Sequence, residues 1–219
     1  MTEIKQYINN EFKPIHVMDS IAEVQDFFLE LSFSHFPVME EGVYAGSIAA
    51  ADVETFEADK NVLEYRYTLA GFFVRPTDFW LDVLEVFAKN QTNIVPVLDT
   101  NNEYVGYYEL EDIITFFHDT PFLKEPGGII VVQKGIKEYS MSQITQIVES
   151  NNGKLLGLLI SEADLENVQI TIKISFGPTN EIIQTFRRYN YEIISDHQDD
   201  NYIANLKERS DYLDKYLNI

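Results

Sequence analysis

Phe36-Pro37-Val38 is followed by Gly46 and Asp52, and Val95-Pro96-Val97 is followed by Gly106 and Asp112. Pro37 and Pro96 stand 59 residues apart, and the two glycines and the two aspartates stand 60 apart. Each block opens on an apolar stretch, Ile15-His16-Val17-Met18 in one and Phe73-Val74-Arg75-Pro76 in the other. A repeat of this size makes the first half of the chain one supersecondary unit used twice. The copies agree at scaffold positions and differ at positions that would touch a ligand.

In the first copy, Ile21, Val24, Phe27, Phe28 and Leu31 follow helical spacing behind a candidate N-cap at Asp19-Ser20. Phe36-Pro37-Val38-Met39 reads as a short buried strand, Glu40-Glu41-Gly42 as a turn, and 43–48 as a second strand. A short helix is expected near Ala51-Asp52. In the second copy, Leu81, Leu84, Phe87 and Ala88 are the expected helix stripe, with strands over 93–98 and 104–108 and a helix from Asp112. The connector between the copies, 54–67, is charged and expected to be mostly helical.

Breakers cluster from Pro121 to Gly128, and a domain boundary is expected there. A different rhythm follows. A strand over 129–133 leads to a helix carrying Met141, Ile144, Ile147 and Val148, and then to an apolar strand over 155–161. Val168, Ile170, Ile172 and Ile174 alternate with polar residues, the mark of a strand with one buried face. A helix with Ile182, Ile183 and Phe186 inward and a strand over 191–195 complete the order βαββαβ. That order points to a ferredoxin-like antiparallel sheet with both helices on one face, so the expected fold class is α+β. The tail carries Leu206, Leu213 and Leu217 on one side of a charged helix.

Net charge is −20, from 16 basic and 36 acidic side chains. A surface this acidic repels phosphate backbones and anionic lipid, which argues against nucleic-acid and membrane partners. It serves solubility equally well, or attraction to a basic partner or a metal-complexed ligand. The absence of cysteine excludes disulfides, thiolate zinc sites and cysteine nucleophiles, and fits a reducing cytoplasm. No apolar run reaches the ~18 residues of a membrane span, and no secretory signal is visible at the N-terminus. A cytoplasmic location is expected.

The apolar-Pro-Val strands, the glycine of the next strand and the Asp six residues later resemble those of a cystathionine-β-synthase (CBS) domain. Residues 1–122 thus look like a tandem CBS pair, with repeats at about 10–58 and 70–118. Residues 127–197 are similar to an ACT-like domain, and 198–219 form an acidic loop and terminal helix. Glu125-Pro126-Gly127-Gly128-Ile129-Ile130-Val131, Tyr139-Ser140-Met141-Ser142 and Ile147-Val148-Glu149-Ser150 resemble the AcuB-like, acetoin-utilisation-type family. The resemblance implies a regulatory protein without enzymatic activity. It also implies a homodimer and adenosine ligands in two clefts: AMP, ATP with or without Mg²⁺, or S-adenosylmethionine. An unknown protein partner would be regulated, and the ACT-like module is of a kind that binds amino acids or makes dimer contacts.

Under that resemblance, Asp52 and Asp112 take ribose hydroxyls, which suits a carboxylate facing a vicinal diol. The Ser or Thr that faces phosphate is replaced by Ala49 in one copy and Glu109 in the other. Ala49 lacks a donor. Glu109 adds a charge, and two like charges about 4 Å apart repel by ~1 kcal/mol in water and ~4 kcal/mol at an effective dielectric of ~20. The second cleft would therefore need a divalent cation bridging Glu109 to phosphate, or a ligand without phosphate. Ile15, Val17, Phe36 and Val74 are the adenine-pocket candidates, and ordinary core residues on the rival reading. Asp52 and Asp112 likewise have a rival reading as helix caps.

The four histidines, His16, His35, His118 and His197, include no pair at i,i+3 or i,i+4, so no metal site is expected. His16 or His35 is a candidate base contact. Asp196, Asp199 and Asp200 lack EF-hand spacing. Gly135 suits a ligand-approaching turn, or a plain one. No nucleophile elbow, P-loop or dinucleotide fingerprint is present.

Overall fold

A computed structural model of the chain describes residues 4–175 and 177–195. The expected helix and acidic loop over 198–219, with Asp196 and His197, lie outside the described residues. The chain divides into two compact units between His118 and Asp119, and each is taken by itself.

The first unit is the duplication made physical. Its first copy runs β1 (Ile15–His16), α1 (Ile21–Glu30), β2 (His35–Glu40), β3 (Val43–Ala49) and α2 (Ala50–Val53). Its second runs α3 (Trp80–Asn90), β4 (Ile94–Leu98), β5 (Tyr104–Glu109) and α4 (Leu110–His118). Ile15 pairs in parallel with Val38, and Val74 in parallel with Val97, 59 residues on in both partners. His16 N–H donates to Asp19 Oδ2 at 2.8 Å and Arg75 N–H to Asp78 Oδ2 at 2.7 Å, so the same side-chain turn opens both helices.

The extra residue of the second copy lies in its hairpin. Glu41 and Gly42, both at positive φ, close β2 onto β3, whereas β4 and β5 are joined through 99–103. Two positive-φ residues match the twist of a tight hairpin. The offset is therefore 59 ahead of the hairpin, and α3 is shifted by one residue from the expected stripe. Val83 and Phe87 are its buried residues, while Leu81 is 59% exposed.

The connector also departs from expectation. Only Val62–Thr68 is helical, as a 3₁₀ segment kinked at Tyr65. Its backbone is spent elsewhere: Ala58 and Lys60 carbonyls accept from Ala22 and Ile21 N–H, and Val62 and Leu63 N–H donate to Asp19 and Val17 carbonyls. The connector thus satisfies N–H groups of the first turn of α1 that no intrahelical partner could.

The second unit begins with α5 (Pro121–Lys124) and continues β6 (Gly127–Gly135), α6 (Met141–Ser150), β7 (Leu155–Ala163), β8 (Asn167–Ser175), α7 (Thr179–Arg188) and β9 (Glu192–Ile193). The sheet order is β7-β8-β6-β9, antiparallel throughout. Ile130, Val132, Ile170, Ile172 and Ile174 bury one face against Ile144, Ile147 and Val148 of α6 and Ile182, Ile183 and Phe186 of α7.

Candidate functional site

In each copy a strand turns directly into a helix, and the candidate ligand residues sit at that corner. Ala50 N–H donates to Ser34 O, and Leu110 N–H to Asn93 O, so the start of the preceding strand anchors each corner. Ser34 and Asn93 are themselves equivalent across the 59-residue offset, and they bind each other. Ser34 N–H donates to Asn93 Oδ1 at 2.8 Å, and Asn93 N–H to Ser34 Oγ at 3.0 Å. This knot marks the pseudo-two-fold axis between the copies.

The segment leading into each copy pairs on the sheet of the other. Ala70 and Ser47 exchange backbone hydrogen bonds at 2.8 and 2.9 Å, and Asn9 and Tyr107 at 2.9 and 2.8 Å. The repeated glycines lie beneath these crossings. Gly46 has φ +141° and Gly106 φ +147°. A Cβ at Gly46 would come within 2.8 Å of Leu69 Cβ, and one at Gly106 within 2.5 Å of Asn9 O. The repeated glycine serves strand crossing and needs no ligand to explain it.

The aspartates are not caps. Ala49 is the N-cap of α2 and makes no side-chain cap, and Asp52 lies three residues later in the first turn. Asp112 likewise lies in the first turn of α4, which begins at Leu110. There each gains from the helix dipole, worth roughly 0.3–1 kcal/mol. Among the described residues neither carboxylate accepts a hydrogen bond. Asp52 faces His35 electrostatically. Burial lowers the His35 pKa, and the Asp52 charge pushes it back up. Ser34 Oγ lies 3.1 Å from His35 Nδ1, and Phe72 meets the imidazole edge-on at 5.7 Å. Asp112 has no such neighbour, since Ile94 replaces the histidine. Burial, then the Glu111 charge, pushes the Asp112 carboxyl above its usual range.

Ala49 and Glu109 occupy matched places opposite His35 and Ile94. Glu109 is engaged: its Oε1 accepts from Asn9 Nδ2 at 2.8 Å, tying the N-terminal segment to the second corner. Ile15, Val17 and Phe36 fill the core with Val38 and Ile48, and Val74 packs with Phe87 and Val97. All four candidates are 6% exposed or less, so they present almost no surface to an adenine. A cavity of about 570 Å³ opens instead between α3 and α4, lined by Leu84, Phe87, Leu110 and Ile114 with Thr92 and Asn93. None of the candidate residues lines it. His16 is remote from the His35–Asp52 pair in sequence and uses its Nδ1 to accept from Met18 N–H at 3.2 Å. Among the described residues, no group of three His, Asp or Glu side chains could hold a metal ion.

The Asn9–Glu109 tie and three buried hydroxyls without a hydrogen bond, on Tyr104, Tyr107 and Tyr108, are outside what sequence reasoning reached. The Ser34–Asn93 knot was within its reach, because the two residues share the offset of the prolines.

Residues 70–119 match the CBS domain family. The second copy is thus similar to a CBS domain. No curated protein matches the chain. Among solved structures, a CBS domain pair/ACT domain protein from Thermotoga maritima is 18% identical, covering 53% of this chain and 96% of that one at a TM-score of 0.48. The CBS domains of a transcriptional regulator from Streptococcus pneumoniae are 16% identical, covering 52% and 98%, at 0.47. The CBS pair of a putative Mg²⁺ transporter from Shewanella oneidensis is 18% identical, covering 54% and 71%, at 0.47. CBS domains are regulatory, ligand-sensing modules, and proteins built on pairs of them are typically not catalytic. Among the described residues, no helix is long and apolar enough to cross a membrane.

Proposed function

We propose that the chain is a cytoplasmic, non-enzymatic regulator of AcuB-like organisation, a CBS pair joined to an ACT-like, ferredoxin-like module. It binds an adenosine-containing ligand at the first copy and changes the activity of a protein partner as a homodimer. One observation carries the ligand reading: the Asp52 carboxylate is half-buried at a strand-to-helix corner, without a hydrogen bond among the described residues, beside His35. Asp52 takes the ribose diol and His35 contacts the base or the phosphates. Ala49 leaves the phosphate side neutral. Asp112 is the matching ribose group of the second copy, where Glu109 opposes a free phosphate unless Mg²⁺ bridges them. Ligand binding regulates only if it distinguishes two arrangements of the protein.

The test is a thermal-shift panel of adenosine, AMP, ATP with and without Mg²⁺, S-adenosylmethionine and amino acids. A ligand at about 100 times its Kd stabilises by ~2.7 kcal/mol. Asp52→Ala weakens that ligand at least about tenfold, or ~1.4 kcal/mol, while Asp112→Ala weakens it less. Unchanged affinity in Asp52→Ala would sink the ribose assignment. Silence across the panel favours a second reading, an interaction module with degenerate clefts. The near-complete burial of Ile15, Val17, Phe36 and Val74 speaks for that reading.

A further inference from the structure

The sheet of the second unit has its two long helices on one side. α6 and α7 both pack against Ile130, Ile172 and Ile174. On the other side α5 covers one corner, where the Phe122 ring rests so close to Gly157 that a Cβ there would strike it. The rest of that side is largely apolar. Val131 and Thr171 are paired, Leu159 lies beyond Thr171, and Ile194 N–H donates to Val131 O, so these four form one row across the sheet. Ile129 lies in the next row, beside Lys173. Ile129, Leu159 and Ile194 are 49%, 44% and 40% exposed. A sheet that meets water on one side carries polar residues there. This one carries a contiguous apolar patch, the mark of an interaction surface. Lys173 points the same way: it is only 9% exposed, yet makes no ion pair among the described residues. A charge withdrawn from water needs a partner.

The course of the chain says what covers the patch. Ser195, the last described residue, is fastened to it: its Oγ accepts from Val131 N–H at 3.0 Å. Residues 196–219 continue from that point. Among them Tyr202, Leu206, Leu213 and Leu217 recur at the spacing of one helical stripe. As a helix, 202–218 would be about 25 Å long, close to the ~30 Å of a nine-residue strand such as β6. Residues 196–201 reach up to ~20 Å, enough to turn from β9 onto the face. An amphipathic helix of this length draws its stability from a surface to pack on. Asp214 borders the stripe and supplies the carboxylate that Lys173 lacks. A second copy of the sheet fits less well, because two-fold packing would bring two unpaired Lys173 ammonium groups into one interface.

We propose that the patch is an intrachain docking site, and that residues 202–218 lie across it as a helix, giving the sheet a helical layer on both sides. The chain has no cysteine, so one engineered thiol reports one position. In the full chain, Ile129→Cys should react with a maleimide at least about tenfold more slowly than Leu165→Cys, at a position 96% exposed outside the patch. Adding Leu206→Asp with Leu213→Asp puts two charges into the stripe and should raise Ile129→Cys to the rate of Leu165→Cys. Ile172→Cys, on the side of α6 and α7, should stay unreactive throughout, which shows that the unit is still folded. Should the paired substitution expose Ile172→Cys as well, Leu217→Asp alone replaces it and should raise the Ile129→Cys rate several-fold. An Ile129→Cys thiol as reactive as Leu165→Cys with the tail unaltered would overturn the proposal. Protection that the tail substitutions leave untouched would also overturn it. If such protection fades on dilution, a second copy covers the face, and if it does not, the unit's remaining elements do.

Discussion

Tyr44 and Tyr104 hold the same place in two copies of one arrangement and differ in their surroundings. The Tyr44 hydroxyl lies 2.9 Å from Ser47 Oγ and donates to Phe72 O at 2.8 Å. At Tyr104 the residue matching Ser47 is Tyr107, and the Tyr104 hydroxyl is buried without a hydrogen bond. Tyr107 lies beside the Phe12 backbone but in no well-formed hydrogen bond. Burial pushes the Tyr44 and Tyr107 hydroxyls up to about 12 and Tyr104 further still. The same divergence recurs at the helix starts: Ser20 and Glu23 form a reciprocal cap on α1, while Phe79 offers α3 no side-chain cap. What the backbone does is repeated, namely crossings, parallel bridges and corners. What side chains do has drifted, and the ligand corners belong to that second class.

The largest effect that tests this division is at the shared glycines. Gly106→Ala should destabilise the first unit by about 3 kcal/mol, because the methyl group meets a backbone oxygen at positive φ. Gly46→Ala should cost somewhat less, since its nearest obstacle is a side chain. Urea midpoints for both variants measure this, and a neutral Gly106→Ala would break the claim that backbone features are the common inheritance. Next come the tyrosines. Tyr44→Phe should lose about 1 kcal/mol through its hydrogen bonds, whereas Tyr104→Phe should be neutral or gain about 1 kcal/mol by removing an orphaned hydroxyl. Equal losses would mean that the copies are chemically alike after all.

The smallest effect is the pH response of His35. Burial holds its folded pKa below the ordinary ~6.5. The unfolded chain therefore binds the proton first, and the stability associated with neutral His35 is present above pH ~6.5 and is lost as pH falls toward the folded pKa. His35→Ile, which copies the second corner, should flatten that part of the stability profile. Asp52→Asn should move the imidazole titration, followed by NMR, further down. An upward movement would show that Asp52 does not face the ring.

Periodicity carried much of this into view. Strands over 94–98 and 104–109 and the helices starting at Ile21, Met141 and Thr179 follow from local patterns that the packing does not contest. The α3 stripe does not, because one extra hairpin residue displaces the offset and only the pairing of Val74 with Val97 reveals on which side it falls. The connector is a tertiary effect: helical composition gives way where its carbonyls cap α1. At the site, Asp52 and Asp112 could be named from the repeat, but not that their carboxylates leave the helix N-termini uncapped. The tie between Asn9 and Glu109 spans 100 residues and has no local signature at all.

Because Asn9 pairs on the sheet of the second copy and Ala70 on that of the first, the duplication is not modular. A chain cut in the connector near Lys60 would yield two pieces, each with an uncovered strand and each holding the strip that covers the other. Such fragments are complementary by construction, so their recombination in solution is a route by which the native unit reassembles. Loss of either copy would leave the survivor with a bare edge, which sets a limit on how this unit can be shortened.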